Sequence, residues 1–266
     1  MNSKSLRQRI ISKLIQSQGL SIAQLTEETS ASRVSVSKEL KALKECGAAE
    51  KTVGSSIYAL SPSISFIIFK IYNDGAEIVS YSPHGSCERE KIDLVYSLSY
   101  EDNIIFLAPR IEKYRERLEK SFGRVITCIV HDKKISYTPL VSRVFKFAST
   151  RAELISRQIQ YVSDNEAVLY ISNCAPISFL CKNGAAITPN SYPNEKTLKA
   201  PQSALSLIKP SRVILEGAER ESLAFVCSKN NIPFRFINTN GGLYTDELGM
   251  IEEALYEISK NEMLST

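Results

Sequence analysis

Tryptophan is absent from this chain of 266 residues, and histidine occurs only twice. The six cysteines stand singly, without a CxxC pair or the dense spacing of a small disulfide-rich secreted domain. This pattern predicts buried thiols in a reducing cytoplasm. Because His and Cys do not cluster, we expect no metal site, and we expect no cofactor.

Long hydrophobic runs are also lacking. The strongest, Phe66–Phe69 and Ile104–Ala108, stop at Lys70 and Pro109, far short of the roughly 20 residues that span a membrane. No apolar signal segment follows Met1, so the sequence predicts a cytoplasmic protein with no membrane partner. With only 11 glycines and 10 prolines the chain has no fibrous or disordered signature, and its 43% of hydrophobic residues can form at least one full core.

The formal net charge of +4 is unevenly distributed along the chain. The first 60 residues contain nine basic and five acidic side chains, and the remaining 206 contain 24 of each. The whole excess of positive charge therefore lies at the amino-terminal end. Such an asymmetry suggests one module that faces a polyanion and a second part that faces something else.

Three short amphipathic helices are predicted in this basic segment. Apolar residues in Leu6–Ile15 recur at helical spacing, and the first helix ends at Gly19. Ser21 and Gln24 form a capping-box pair that starts the second helix.

The third helix runs from Arg33 to Glu45 and starts at either Ser30 or Ser32. Gly47 follows it as a carboxy-terminal cap. Its apolar residues recur at i, i+4 and i+7 and are expected to face inward: Val36, Leu40 and Leu43.

Two short strands follow, Ala48–Val53 and Ile57–Leu60, around a turn that contains Gly54. Three helices and a β-hairpin are typical of a winged helix-turn-helix domain, which we assign to residues 1–61. In this motif the amino-terminal end of the third helix enters the major groove of DNA.

The polar residues outside the inward face of the third helix are the predicted DNA contacts. Arg33 has the donor fork that pairs with guanine O6 and N7, a contact worth about 1–3 kcal/mol of discrimination. Ser35 is suited to a base edge or a phosphate, and Lys38 to a phosphate. The predicted set also includes the start of the helix, two arginines of the first helix as phosphate clamps, and four hairpin residues that would reach the backbone or minor groove: Ser32, Arg7, Arg9, Lys51, Thr52, Ser55 and Ser56.

The segment Ser32–Leu40 resembles the recognition helix of bacterial ROK-type and MarR-like repressors. The resemblance covers residues 5–60 and implies a winged helix that binds DNA. The alternative interpretation is a winged helix used for protein contacts.

Beyond Pro62 strands and helices alternate, which divides the rest of the chain into residues 62–162 and 163–266. The second segment has the order β-β-β-α-β-α-β-α, and its last helix buries a stripe from Leu248 to Ile258. Its predicted elements are strands Ala167–Ser172, Ile177–Cys181, Ala185–Thr188, Arg212–Glu216 and Phe234–Asn238, helices Pro201–Ile208 and Glu219–Asn230, and a final helix after Gly242.

Residues 62–162 give a shorter version of the same order, so the two segments form an internal repeat of about a hundred residues. Asn73-Asp74-Gly75 is a hairpin signal, and the helix expected between the third and fourth strands is missing from the pattern. The predicted elements are strands Ser63–Ile71, Ala76–Ser82, Ile92–Leu98, Asn103–Leu107 and Arg124–Val130, helix Ile111–Phe122, and a long helix that ends near Val162.

This repeated order resembles the actin-like ATPase fold of sugar kinases, and a winged helix in front of it resembles the ROK-family repressors. Val168–Ser172 falls where the family's second phosphate-binding strand lies, and Pro210–Gly217 where its adenosine-side strand and glycine turn lie. In those proteins a two-lobed sugar-kinase-like domain senses a sugar and controls DNA affinity. The resemblance implies a compact two-lobed α/β domain, a homodimer on double-stranded DNA, and a sugar-like effector.

Kinase chemistry is nevertheless not expected. A phosphate cradle needs glycines that let backbone N–H groups approach the anion, but Ser172–Ile177 contains none. Phe69–Asn73 replaces the family's acidic, glycine-rich turn, and no Asp or Glu lies between Lys133 and Ala152 to act as the base. The family's zinc site also lacks a counterpart. We therefore expect no catalytic residues.

Three further candidates each have a plainer alternative. His84 and His131 are either pH-sensitive or ligand groups, or ordinary loop histidines. Cys174 and Cys181 would sense redox state only as exposed thiols of low pKa, and otherwise they are inert. The polar segment Asn238–Gly242 is either a phosphate cradle or an ordinary connection between a strand and a helix.

The sequence favours a DNA-binding transcription regulator with a catalytically inactive sugar-kinase-like domain. Two other functions stay open. A divergent sugar or nucleoside kinase with a DNA-binding module would turn over ATP. A winged-helix scaffold for protein partners would show no salt-dependent DNA affinity beyond one or two ion contacts.

Overall fold

The fold is taken from a computed structural model, which divides into two compact units. The first unit comprises residues 1–148 and 247–266, and the second comprises residues 149–246. The structure describes residues 4–17, 19–71, 75–83, 87–93, 99–131, 144–145, 154–155, 158, 167–172, 179–182, 185–187, 205, 209–216, 221–237 and 242–260.

Three helices open the first unit. Each begins after a serine whose side chain accepts a hydrogen bond from a backbone N–H three residues on, and these serines are Ser5, Ser21 and Ser32. The predicted capping box at Ser21 and the start of the third helix are confirmed, but the first helix ends at Gln16 rather than Gly19. The helices are α1 (Leu6–Gln16), α2 (Ile22–Thr29) and α3 (Arg33–Glu45).

The apolar faces of these helices pack into one core. The predicted inward residues of α3 are confirmed, because Val36, Leu40 and Leu43 are at most 1% exposed. Leu14 from α1 and Leu25 from α2 are buried to the same extent. Each such side chain contributes about 1.5–3 kcal/mol by leaving water, so the core fixes which face of α3 remains outside.

A small antiparallel sheet with the strand order β1-β3-β2 completes this region. The hairpin formed by β2 and β3 is confirmed, with Gly54 at φ +75° in its turn. The sequence did not predict β1, which directly follows Gly19. Gly19 has φ +139°, and a Cβ there would lie 2.5 Å from Ile57 Cγ2, so a larger residue would not fit. The strands are β1 (Leu20–Ser21), β2 (Ala49–Lys51) and β3 (Ile57–Leu60), and residues 4–61 are called the amino-terminal module below.

The rest of the first unit is built on a five-stranded sheet with the order β6-β5-β4-β7-β8. The pairs β4–β5 and β5–β6 are antiparallel, and the pairs β4–β7 and β7–β8 are parallel. Helix α4 packs against β4 and β7. The elements are β4 (Ile64–Ile71), β5 (Ala76–Tyr81), β6 (Cys87–Ile92), α4 (Tyr100–Phe122), β7 (Arg124–His131) and β8 (Val144–Phe145).

The predicted strand Asn103–Leu107 is wrong, because these residues belong to α4. The helix begins after the Ser99 cap and continues through Pro109, which lies on its exposed side. Proline removes one backbone donor there without entering the core. Leu107 and Ile111, one turn apart, are buried, as the helical period requires. The helix that the sequence pattern lacked between the third and fourth strands is therefore present.

The second unit contains a sheet with the order β11-β10-β9-β12-β13. When the strands of each five-stranded sheet are numbered in chain order, both sheets have the order 3-2-1-4-5. In both, strands 1 to 3 pair antiparallel and the other pairs are parallel, so the predicted repeat is confirmed in topology. The predicted strands are found to within two residues. The elements are β9 (Ala167–Ser172), β10 (Phe179–Lys182), β11 (Ala185–Ile187), β12 (Arg212–Glu216), α5 (Glu221–Lys229) and β13 (Phe234–Ile237).

Some predicted elements lie wholly or mostly outside the described residues. These are the helix at 201–208 and the long helix that ends near Val162. The predicted position of the third strand of the five-stranded sheet in the first unit, Ile92–Leu98, is wrong, because the strand that pairs with β5 at that place is β6 (Cys87–Ile92) and shares only Ile92 with it. Among the helices that the structure describes, none is long and apolar enough to cross a membrane.

The last helix, α6 (Thr245–Lys260), begins in the second unit and continues in the first. Its predicted stripe is confirmed, since Leu248, Ile251, Leu255 and Ile258 are at most 8% exposed.

A buried ionic network joins the first turn of α6 to the five-stranded sheet of the first unit. The Glu247 carboxylate accepts a hydrogen bond from Lys70 Nζ at 2.7 Å and two from the Arg89 guanidinium at 2.6 Å. The Glu77 carboxylate lies 3.9 Å from Lys70 and 3.7 Å from Arg89. Burial lowers the pKa of Arg89, but the hydrogen bond and charge of Glu247 outweigh this and raise it above its ordinary value.

We expect Glu247→Gln to lower the free energy of unfolding by about 3–5 kcal/mol, because it removes the closest partner of a fully buried lysine. Urea unfolding followed by far-ultraviolet circular dichroism measures the change without a tryptophan. Glu28→Gln is the control. The side chains of Glu28 and Lys13 are 48% and 36% exposed, so their ion pair is worth at most about 1 kcal/mol. Equal losses in both variants would contradict the role of the network.

Candidate nucleic-acid interface

The first turn of α3 is capped by its own serines. Ser32 Oγ accepts a hydrogen bond from the Ser35 backbone N–H at 3.1 Å, and the two hydroxyls are 2.9 Å apart. Ser32, Arg33 and Lys38 are exposed, and Ser35 is half-buried. The structure therefore brings these four predicted contacts together on the first two turns of one helix.

Positive charge dominates the exposed surface of α3. Arg33, Lys38 and Lys44 are exposed and form no ion pair within the part of the chain that the structure describes. Lys41 lies 3.8 Å from Glu45, but the two side chains are 78% and 66% exposed, so water screens this pair strongly. These cations are available to phosphate groups.

The hairpin presents three of its four predicted residues to solvent. Lys51, Thr52 and Ser56 are exposed. Ser55 is half-buried, and its hydroxyl donates to the Thr52 carbonyl at 3.2 Å and accepts from the Ile57 backbone N–H at 3.1 Å. Its hydroxyl is therefore used within the turn, and its contact with DNA stays a prediction.

The two predicted phosphate clamps on α1 are engaged inside the protein. Arg7 donates to Glu39 on α3 at 2.6 Å and to the Ser259 carbonyl on α6 at 2.7 Å. Arg9 donates to the Thr29 carbonyl at the end of α2 at 2.6 Å. These contacts link helices of the first unit, and a contact of either arginine with phosphate stays a prediction.

Sequence reasoning missed two exposed valines in the same region. Val34, in the first turn of α3, is 79% exposed, and Val53, in the hairpin, is 98% exposed. The sequence does indicate that Val34 is exposed, because it lies outside the i, i+4, i+7 spacing of the buried residues Val36, Leu40 and Leu43. Val34 and Val53 are both apolar, so charge and hydrogen-bonding capacity do not point to them.

The second unit contains a buried carboxylate at the carboxyl end of β12. Glu216 Oε1 accepts hydrogen bonds from the Thr245 backbone N–H at 2.9 Å and from its hydroxyl at 2.7 Å, and Glu216 Oε2 accepts one from the Tyr170 hydroxyl. Burial raises the pKa of Glu216, although these hydrogen bonds lower it in part and the charge of Asp246 raises it further. Glu216 thus holds the start of α6.

Most of the other candidate residues from the sequence lie outside the part of the chain that the structure describes. His131 ends β7 and Cys181 lies in β10, while His84, Cys174, Gly217 and residues 238–241 fall outside the described residues. In the described ranges, no group of three His, Cys, Asp or Glu side chains is arranged to hold a metal ion.

A comparison with solved structures finds a similar fold over nearly the whole chain. A ROK family transcriptional regulator, a homologue of the E. coli MLC protein, is similar with a TM-score of 0.54 and 10% identity, over 95% of this chain and 97% of that one. At this identity the likeness shows the fold, which is mixed α/β.

Two other solved structures are similar with lower scores. One is a Bacteroides thetaiotaomicron protein with an actin-like ATPase fold (TM-score 0.39, 14% identity, 71% of this chain and 96% of that one). The other is a ROK hexokinase from Thermus thermophilus (TM-score 0.39, 11% identity, 73% and 99%). No protein-family model matches the sequence, and the comparison with curated proteins gives no match.

We expect Glu216→Gln to change how stability depends on pH. A raised pKa in the folded state gives stabilisation that is complete below the ordinary value of 4.5 and is lost as pH rises through the folded value. The variant does not titrate at this position. Its unfolding free energy should therefore improve relative to the unmodified protein as pH increases from 4.5, in urea unfolding at matched pH values. A difference that stays constant with pH would contradict the raised pKa.

Proposed function

We propose that the chain is a sequence-specific DNA-binding transcription regulator, and that its amino-terminal module is a winged helix-turn-helix domain. In this interpretation α2 and α3 form the helix-turn-helix pair and the β2–β3 hairpin is the wing. The observation that carries the proposal is the first half of α3, where Arg33 and Lys38 are exposed beside a helix face that is fully buried. The core thus presents the cationic face outward, as entry into a major groove requires.

We also propose that the chain beyond the module forms an actin-like, sugar-kinase-like domain without catalytic activity. The 3-2-1-4-5 strand order of both sheets and the fold likeness to a ROK family regulator support this assignment. Lys70 lies at the hairpin where the family carries its acidic, glycine-rich turn, and its amine is tied to Glu247. Because the Lys70 ammonium is already paired with Glu247, we assign it a structural role and not one in binding the phosphates for phosphoryl transfer.

The proposed DNA-binding form is a homodimer, because two half-sites one helical turn apart double the specific contacts. A sugar-like effector would alter DNA affinity only as far as it prefers one conformation of the domain. Selection of genomic fragments by the full-length protein at near-physiological salt tests the proposal. An enriched site with inverted half-sites supports it, whereas no enrichment by a folded protein contradicts it and favours a protein-binding scaffold.

We expect Arg33→Ala to reduce affinity for the selected operator by roughly 10- to 100-fold per half-site, with little change on unrelated DNA, because guanine loses its bidentate partner. Fluorescence anisotropy with both DNAs measures this ratio. Arg117→Ala is the control, since Arg117 is 54% exposed on α4, outside the module. Unchanged operator affinity in Arg33→Ala would show that α3 is not the recognition helix.

We expect Lys38→Ala to weaken binding to all DNA sequences alike, because a phosphate contact carries no sequence information. The slope of log affinity against log salt concentration should become shallower by about one unit per protomer. Lys120→Ala on the exposed side of α4 is the matched control and should leave the slope unchanged. A loss confined to the operator would instead assign Lys38 to a base.

A further inference from the structure

Val34 occupies a position on α3 where it adds nothing to the core. It is the second residue after the Ser32 cap and is 79% exposed. With about 100° of rotation per residue, it lies about 160° around the helix from the buried Val36. A β-branched residue at an exposed helix position is also a poorer helix former than alanine, so folding gives no reason for valine here.

The surroundings of Val34 are positively charged. Lys38 and Lys41 lie within about 40° of it around the helix, one and two turns further along, and Arg33 precedes it. A surface that combines one apolar side chain with several cations is complementary to a partner that combines methyl groups with negative charge. The major groove of DNA has this combination, because thymine projects its 5-methyl group there between two rows of phosphates.

We propose that Val34 contacts the 5-methyl group of a thymine adjacent to the guanine bound by Arg33. Consecutive Cα atoms are about 3.8 Å apart and consecutive base pairs about 3.4 Å apart, so neighbouring helix residues can reach neighbouring base pairs. The inference rests on the proposed function and extends it to a base that no polar residue of α3 would select. Each half-site then contains a thymine whose methyl group is required.

The test removes this methyl group from the DNA instead of from the protein. Each thymine of the selected operator half-site is replaced in turn by deoxyuridine, which keeps the Watson–Crick pairing and lacks only the methyl. Affinities of the full-length protein and of Val34→Ala are measured by fluorescence anisotropy at one salt concentration. Circular dichroism confirms that the variant retains its helices.

The expected result has two parts. Deoxyuridine at one position should weaken the unmodified protein about three- to fivefold per half-site, the value of one buried methyl group. Val34→Ala should bind the thymine operator with this reduced affinity and should bind both operators equally. Val53→Ala is the matched control, because Val53 is an exposed valine of the hairpin, and it should keep the preference for thymine.

Two results would overturn the inference while leaving the proposed function intact. One is operator binding by the unmodified protein that no deoxyuridine substitution weakens. The other is a thymine preference that persists in Val34→Ala or disappears in Val53→Ala, which would assign the methyl contact to the wing. If the unmodified protein binds no operator at all, the proposed function fails, and the inference about Val34 fails with it.

Discussion

The Glu247 carboxylate lies fully buried at the first turn of α6, where Lys70 and Arg89 donate to it from two different strands. Burying charges is costly unless they are paired and hydrogen-bonded, so the fold favours the position of α6 in which Glu247 meets both cations. The helix beyond Glu247 then buries its apolar stripe in the first unit. Within the second unit, Thr245, the first residue of α6, donates two hydrogen bonds to Glu216.

Two cations of the amino-terminal module also contact α6. Lys4 pairs with Glu252 at 2.7 Å, and both side chains are largely buried. Arg7 joins the Ser259 carbonyl near the end of α6 to Glu39 on α3. A single arginine therefore links the last helix with the helix that carries the proposed DNA contacts. The core shared with α1 and α2 orients α3 within the module, and Arg7 adds a hydrogen-bonded link from α3 to α6.

The sequence predicted local features well and long-range features poorly. Caps such as Ser21 and Ser32 act within three residues, and apolar spacing within a helix acts within four, so the helices of the module were found with their buried faces. Pro109 is a helix-breaking signal in the sequence, but α4 continues through it because the proline lies on the exposed side of the helix. Lys70 and Glu247 are 177 residues apart, and no local pattern joins them. For the same reason Arg7 looked like a free cation, whereas its partners lie on α3 and α6.

The distribution of ion pairs explains why a modest net charge suffices for the proposed function. Lys4, Arg7 and Lys13 are neutralised by carboxylates, and the first two of these pairs orient helices. The exposed cations that form no ion pair within the described part of the module lie on α3 and the hairpin, and they are Arg33, Lys38, Lys44 and Lys51. Counting charges in the sequence weights all of these equally, but only unpaired, exposed cations exchange their counterions for phosphates. The number of cations available to phosphate is therefore smaller than the sequence count, and three of them lie on α3, the helix that also exposes Val34.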